Sequence, residues 1–169
     1  TFRALLARLQ LTTNDKLFLL GDFVNKGPDA KGVLDTVFDL RQKGYDLHCL
    51  RGNHDDILLE MPTNGEYQQH KERYGAQYTL QSFGVARAQD IPSVYLDFLD
   101  SLPTYLIWND YIFVHAGFSF ARQDPLGDTY LHTRIREWYN QIDYAWLGDR
   151  WIIHGHDQQT MQKIEQQLQ

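Results

Sequence analysis

Leu17-Phe18-Leu19-Leu20-Gly21-Asp22-Phe23-Val24-Asn25-Lys26-Gly27-Pro28 is the stretch on which the fold turns. Residues 17–20 are an unbroken apolar run and read as a buried strand. The chain then breaks at Gly21 and presents Asp22 just beyond the strand's C-terminal end. Open α/β sheets place their ligands along that edge. Three further polar clusters, Gly52-Asn53-His54-Asp55, Val114-His115-Ala116-Gly117 and His154-Gly155-His156-Asp157, each follow an apolar run of their own. Four strand ends are therefore expected to point into one crevice.

Working outward, Val33, Leu34, Val37, Phe38 and Leu40 give one apolar face and predict a helix over residues 29–43, closed by Gly44. Residues 47–50 read as the next strand. A right-handed crossover between the two strands brings Asp22 and Asn53 to the same edge of a parallel sheet. Upstream, Leu5, Leu6 and Leu9 predict a helix capped by Thr1, followed by a polar turn over residues 12–15. An α/β domain that opens on a helix lacks the strand from which that helix would return, so a first strand is expected to be missing.

Downstream, residues 56–90 are read as a helical cap over the crevice, with a turn at Asn64-Gly65. Ile91-Pro92-Ser93 opens a helix that sets Tyr95, Phe98, Leu99 and Leu102 on one side and stops at Pro103. Two strands pair across Asn109-Asp110, and the second delivers His115. A helix carrying Arg134 and Arg136 is predicted over residues 127–144. A last strand follows at Trp151-Ile152-Ile153, and a closing helix sets Met161, Ile164 and Leu168 on one face. Residues 1–169 thus read as a single α/β domain.

Composition narrows the function classes. A chain of 169 residues, 43% hydrophobic, can bury one sizeable core. A formal charge of −6 without a Lys/Arg cluster argues against a polynucleotide-binding surface. Cys49 is the one cysteine, which excludes an internal disulfide, and no apolar stretch is long enough for a signal peptide or a membrane span. A cytoplasmic setting is expected, with dimerisation through exposed sheet edges as an open option.

Asp22, Asn53, His115 and His156 form a donor set of one carboxylate, one amide oxygen and two imidazoles, suited to Mn, Fe or Zn. Singly, a post-strand Asp is most often a helix cap and a lone His most often a packed residue. In this order and on these elements they point to a shared metal. The four blocks resemble the calcineurin-like metallophosphoesterases, in the branch that holds the serine/threonine phosphoprotein phosphatases and the symmetrical dinucleoside tetraphosphatases. The resemblance runs over residues 17–157. It implies a metallophosphoesterase-type α/β sandwich, here expected to be truncated at both ends, and two divalent metal ions, with Asp22 bridging them and Asn53, His115 and His156 completing the second ion's shell. It further implies a bridging water, its pKa drawn toward roughly 7, attacking phosphorus in line. His54 would protonate the leaving oxygen.

The departures from that pattern carry information. The family's turn reads Gly-Asp-x-x-Asp-Arg-Gly, whereas this chain has Asn25 and Lys26. Lys26 can hold a phosphate oxygen as a point charge without the fork of Arg. Asn25 cannot stabilise a protonated His54 as a carboxylate would, which weakens the acid and favours good leaving groups. Arg136, in Ile135-Arg136-Glu137-Trp138-Tyr139, matches the family's phosphate-binding arginine, with Arg134 in reserve. The family's Asp-x-His block, two ligands of the first metal, has no counterpart before Asp22. Asp46-Leu47-His48 has the right letters at the wrong end of its strand. His154 and Cys49 read as packing residues.

The expected activity is metal-dependent hydrolysis of phosphomonoesters, on phosphoserine or phosphothreonine proteins or small phosphoesters. Dinucleoside tetraphosphate hydrolysis is the first alternative, and a non-catalytic remnant holding one metal is the second.

Overall fold

Strands β1 (Lys16–Leu19) and β2 (Asp46–Cys49) pair in parallel, Lys16 opposite Asp46 and Leu19 opposite Cys49, in the computed structural model, which describes residues 2–157 and 160–167. The crossover is helix α2 (Ala30–Gln42), as the apolar spacing predicts. Asp29 caps it by accepting the Gly32 N–H at 2.9 Å. Ala30, Leu34, Val37 and Leu40 form its buried face. Lys43 ends it, and Gly44, at φ +81°, turns the chain toward β2.

Helix α1 (Phe2–Leu9) forms as expected, but its apolar face does not go inward. Leu5 and Leu9 are 54% and 50% exposed. The helix is anchored at its first turn, where Phe2 packs on the core and the Arg3 guanidinium donates to Thr36 Oγ1 (2.9 Å) and the Gly32 carbonyl (3.2 Å). Leu6 is half-buried, while Leu9 is left in water. Thr1, its expected cap, lies outside the described residues.

The cap segment is helical, broken into α3 (Asn53–Glu60), α4 (Gly65–Gln69), α5 (Lys71–Tyr74), α6 (Ala76–Phe83) and a 3-10 turn at Ala88–Asp90. The expected turn at Asn64 is a helix start, because its Oδ1 accepts the N–H groups of Glu66 and Tyr67. Helix α7 (Ser93–Asp100) follows Pro92. It is tied to α2 by Tyr95 Oη donating to Asp35 at 2.7 Å and by the Phe38 and Tyr95 rings, stacked at 5.4 Å. Leu34, Val37, Leu58 and Leu99, all essentially inaccessible, mark the centre of this core.

The chain divides into two compact units, Thr1–Pro103 and Thr104–Gln169. In the second, β3 (Tyr105–Trp108) and β4 (Tyr111–Val114) form the expected hairpin, with Asn109 at φ +50° in its two-residue turn. β5 (Trp151–Ile153) joins β4 in parallel. Ile112, Val114, Phe118 and Leu147 make a small core against one sheet face. The other face exposes Trp108, Tyr111, Trp151 and Ile153.

The helix predicted over 127–144 is corrected. It is present only as α8 (Thr129–His132), a 3-10 turn at Tyr139–Gln141 and α9 (Tyr144–Leu147). Glu137 is left-handed (φ +56°), and Trp138 turns inward to donate its indole N–H to the Ala116 carbonyl at 3.0 Å. Tertiary contacts here override a helical spacing of apolar letters. Arg134 and Arg136 therefore lie in irregular chain. Helix α10 (Met161–Gln167) closes the described chain with Met161 70% exposed, and Leu168 lies outside the described residues. Among the described residues no helix is long and apolar enough to cross a membrane.

Candidate active site

The first unit gathers its expected site residues around two glycines and one carboxylate. Gly21, at φ +100°, lies so close to the chain after β2 that a Cβ there would meet the Gly52 nitrogen at 2.5 Å. Gly21 is thereby a requirement of the close approach between the two strand ends. Asp55 fastens that approach. Its Oδ2 accepts the N–H groups of Asp22 (2.9 Å) and Gly52 (2.8 Å), and its Oδ1 accepts that of Phe23 (2.9 Å). The Asp55 side chain is fully buried, and burial pushes its carboxyl up to about 7 against the pull of those three donors. No role was read from Asp55 in the sequence. The available signal was its place three residues after Gly52 at a helix start, where a carboxylate reaches back to the cap N–H.

Asp22 follows with φ +60°, its Oδ1 accepting the His54 N–H at 3.0 Å. Asn53 is the first residue of α3 and His54 the second. The two strand ends thus share one hydrogen-bonded cluster, as the crossover argument expects.

Asn25 is buried, and every polar group of its amide is engaged. Thr79 Oγ1 accepts the Asn25 N–H at 2.7 Å and donates to Oδ1 at 3.1 Å, while Nδ2 donates to the His54 carbonyl at 3.1 Å and stands 3.4 Å from His54 Nδ1. The carbonyl fixes which end of the amide faces His54. Lys26 is exposed, with its own N–H bonded to the Gly75 carbonyl at 3.3 Å. Gly75 is a second forced glycine, because a Cβ there would stand 2.6 Å from the Lys26 nitrogen. Thr79 and Gly75 escaped the sequence reading, since nothing in a polar helical stretch shows which residue it will touch.

In the second unit His115 follows β4 directly and is 3% exposed. Its Nε2 stands 3.2 Å from His156 Nδ1. Two nitrogens each about 2.1 Å from one ion are about this far apart, so the pair fits neighbouring ligands of a divalent cation. The Gly155 N–H bonds the His115 carbonyl at 2.8 Å, continuing the β4–β5 ladder up to the histidines. A Cβ on Gly117 would stand 2.0 Å from Trp138 Nε1, so the indole occupies the space a side chain would need.

Arg136 is paired with the Asp157 carboxylate. Arg134 donates to Thr133 Oγ1 at 2.6 Å and lies over the Tyr130 ring, 4.4 Å from its centroid. His154 packs on Trp138 and Tyr139 and is held below the usual imidazole range by burial, in line with a packing role. Cys49 is buried in β2 with its thiol pushed up to about 11 by desolvation. His48 pairs with Asp46 at 2.8 Å at the start of β2.

Seven non-glycine residues among those described are left-handed, and four of them, Asp22, Asn25, Lys26 and His156, are expected site residues. Backbone strain of that kind concentrates where geometry matters more than stability. Among the described residues no three His, Cys, Asp or Glu groups gather into one metal-binding cluster. Asp22 and Asn53 stand in the first unit, and His115 and His156 in the second.

A sequence model of the calcineurin-like phosphoesterases matches residues 1–166. The chain belongs to that family. Calcineurin-like phosphoesterases generally use divalent metals, and the donor types found here accord with that habit. This member is 37% identical over 105 residues to the symmetrical bis(5'-nucleosyl)-tetraphosphatase of Nitrosomonas europaea, a match covering 62% of this chain and 35% of that protein. It is 33% identical over 117 residues to the enzyme of the same name from Nitrosospira multiformis, covering 69% and 38%. The matched part is thus little more than a third of the length of these curated relatives. A crystal structure provisionally described as a diadenosine tetraphosphatase superposes with a TM-score of 0.59 at 22% identity, over 92% of this chain and 68% of that one, and shares the metallophosphoesterase fold.

Proposed function

We propose that this chain carries the hydrolytic chemistry of a dinucleoside tetraphosphatase, cleaving a phosphoanhydride and releasing a nucleotide. The observation that carries this reading is the Asn25 amide set against His54. An N–H directed at Nδ1 suits a neutral imidazole with its proton on Nε2, and offers no negative charge to a cationic one. A neutral imidazole offers the leaving oxygen a hydrogen bond rather than a proton, which suffices for a departing phosphate, whose second pKa is about 6, and is too little for a departing serine or threonine alkoxide. The names of the relatives lean the same way.

In this reading Asp22, Asn53, His115 and His156 would hold divalent cations. When bound, these cations neutralise phosphate oxygens and acidify water. His54 directs its Nε2–H at the leaving oxygen as a hydrogen-bond donor and keeps the proton. Asp55 keeps Asp22 and Gly52 in register, and Lys26 adds positive charge for a non-bridging oxygen. Manganese, iron and zinc all suit such donors.

Phosphoserine and phosphothreonine esters are the competing substrates. Turnover of diadenosine tetraphosphate and of a phosphopeptide, each with matched manganese, decides between them. A preference of tenfold or more for the dinucleotide is expected, about 1.4 kcal/mol in the barrier. The reverse preference overturns the proposal. Asn25→Asp is expected to raise phosphopeptide turnover more than dinucleotide turnover.

A further inference from the structure

Tyr130 is 62% exposed, yet its ring is not loose. The Arg134 guanidinium lies over it at 4.4 Å and is itself bonded to Thr133 Oγ1 at 2.6 Å, so the ring is backed by a held cation. The same Tyr130 borders an open surface depression of about 380 Å³ shared with Arg122, Gln123, Asp124, Asp128 and Thr129. The depression's charges are mostly spent. Asp128 pairs with Arg122 at 3.3 Å and accepts the Leu131 N–H at 3.3 Å, while Asp124 accepts the Leu126 N–H at 3.0 Å. What remains is one aromatic surface, an exposed amide at Gln123 and a hydroxyl at Thr129.

An aromatic surface beside an amide is a combination that recognises a purine. Bases stack on tyrosine whatever their identity, and a Gln amide can donate to N7 of adenine while accepting from its N6 amino group. The position is also suitable within this unit. The His132 carbonyl accepts the Ala116 N–H at 2.8 Å, which sets Tyr130, two residues before His132, within about 15 Å of the His115 backbone by bond lengths alone. A nucleoside polyphosphate covers such a reach from base to phosphate chain.

We propose that Tyr130, backed by Arg134, is a shelf for an adenine base, with Gln123 reading the base edge. This rests on the nucleotide reading above and adds to it a base subsite. No bond forms or breaks there, and the shelf acts on affinity and choice of substrate.

The test is calorimetric titration of the full chain with AMP and with ribose 5-phosphate, which keeps sugar and phosphate and lacks the base. Tyr130→Ala is expected to weaken AMP about tenfold, roughly 1.4 kcal/mol, and to leave ribose 5-phosphate within about twofold. Tyr130→Phe keeps the ring and is expected to bind AMP as the parent does. Gln123→Ala is expected to narrow the preference for AMP over CMP. Unchanged AMP affinity in Tyr130→Ala overturns the shelf, as does equal affinity of the parent for AMP and ribose 5-phosphate. The two proposals fail separately. A parent that hydrolyses nitrophenyl phosphate but not diadenosine tetraphosphate rejects the tetraphosphatase reading, while the AMP titration still decides the shelf.

Discussion

His132 shows how one side chain holds a site it does not enter. It is fully buried, with Nδ1 2.9 Å from Thr104 Oγ1, Nε2 2.9 Å from the Pro125 carbonyl, and its own carbonyl bonded to the residue after His115. Burial holds it below the ordinary imidazole value of 6.5, so the folded chain resists a proton that the unfolded chain accepts. Its contribution to stability is complete above pH 6.5 and is lost as pH falls from there through the folded value. Asp55 has the opposite sign: its carboxyl is raised, so the stability it contributes grows as pH falls below about 7. The difference between parent and His132→Gln therefore isolates the imidazole. Urea midpoints at pH 7.5 and 5.5 are expected to fall more steeply for the parent than for the variant. Asp22, Asn53, His115 and His156 stand out in the sequence as candidates because each is directly behind an apolar run or a glycine, and His54 because it adjoins Asn53. Asp55, Thr79, Trp138 and His132 do not, because their roles come from partners far along the chain, 54 residues away for Thr79 and Asn25.

Among the elements, α6 does the least expected work. Read as part of a polar lid, it supplies the hydroxyl that secures Asn25, and the glycine before it admits the Lys26 backbone. Thr79→Val keeps the shape and deletes the hydroxyl, leaving the buried Asn25 N–H without its acceptor. A loss of about 2 kcal/mol is expected by urea denaturation. Turnover is expected to fall with it, because the amide that faces His54 loses its brace. The β1–α2–β2 unit was legible in full, since a strand's apolar run and a helix's spacing are local signals. The segment over 127–144 was not. Leu131, Ile135 and Trp138 keep a helical spacing, but the Trp138 indole is drawn to Ala116, and that pull decides the backbone.

On the scale of the molecule, the division after Pro103 leaves no mark in composition, since no linker or change of charge announces it. The exposed row of Trp108, Tyr111 and Trp151 crosses all the strands of the second sheet, each residue opposite the next. Trp151, 57% exposed, contributes most to that patch. Trp151→Lys is expected to lower binding of an apolar fluorescent dye and any self-association seen by sedimentation, with stability changed by less than about 0.5 kcal/mol. The two sheets also differ in how long they must wait to form. The β3–β4 hairpin closes over two residues and can pair as soon as it leaves the ribosome. Among the described residues β1 pairs with β2, 30 residues further on, which at cellular rates of synthesis is about 1.5 to 6 s. For that interval the apolar run of residues 17–20 is a nascent segment whose β2 partner has yet to be made.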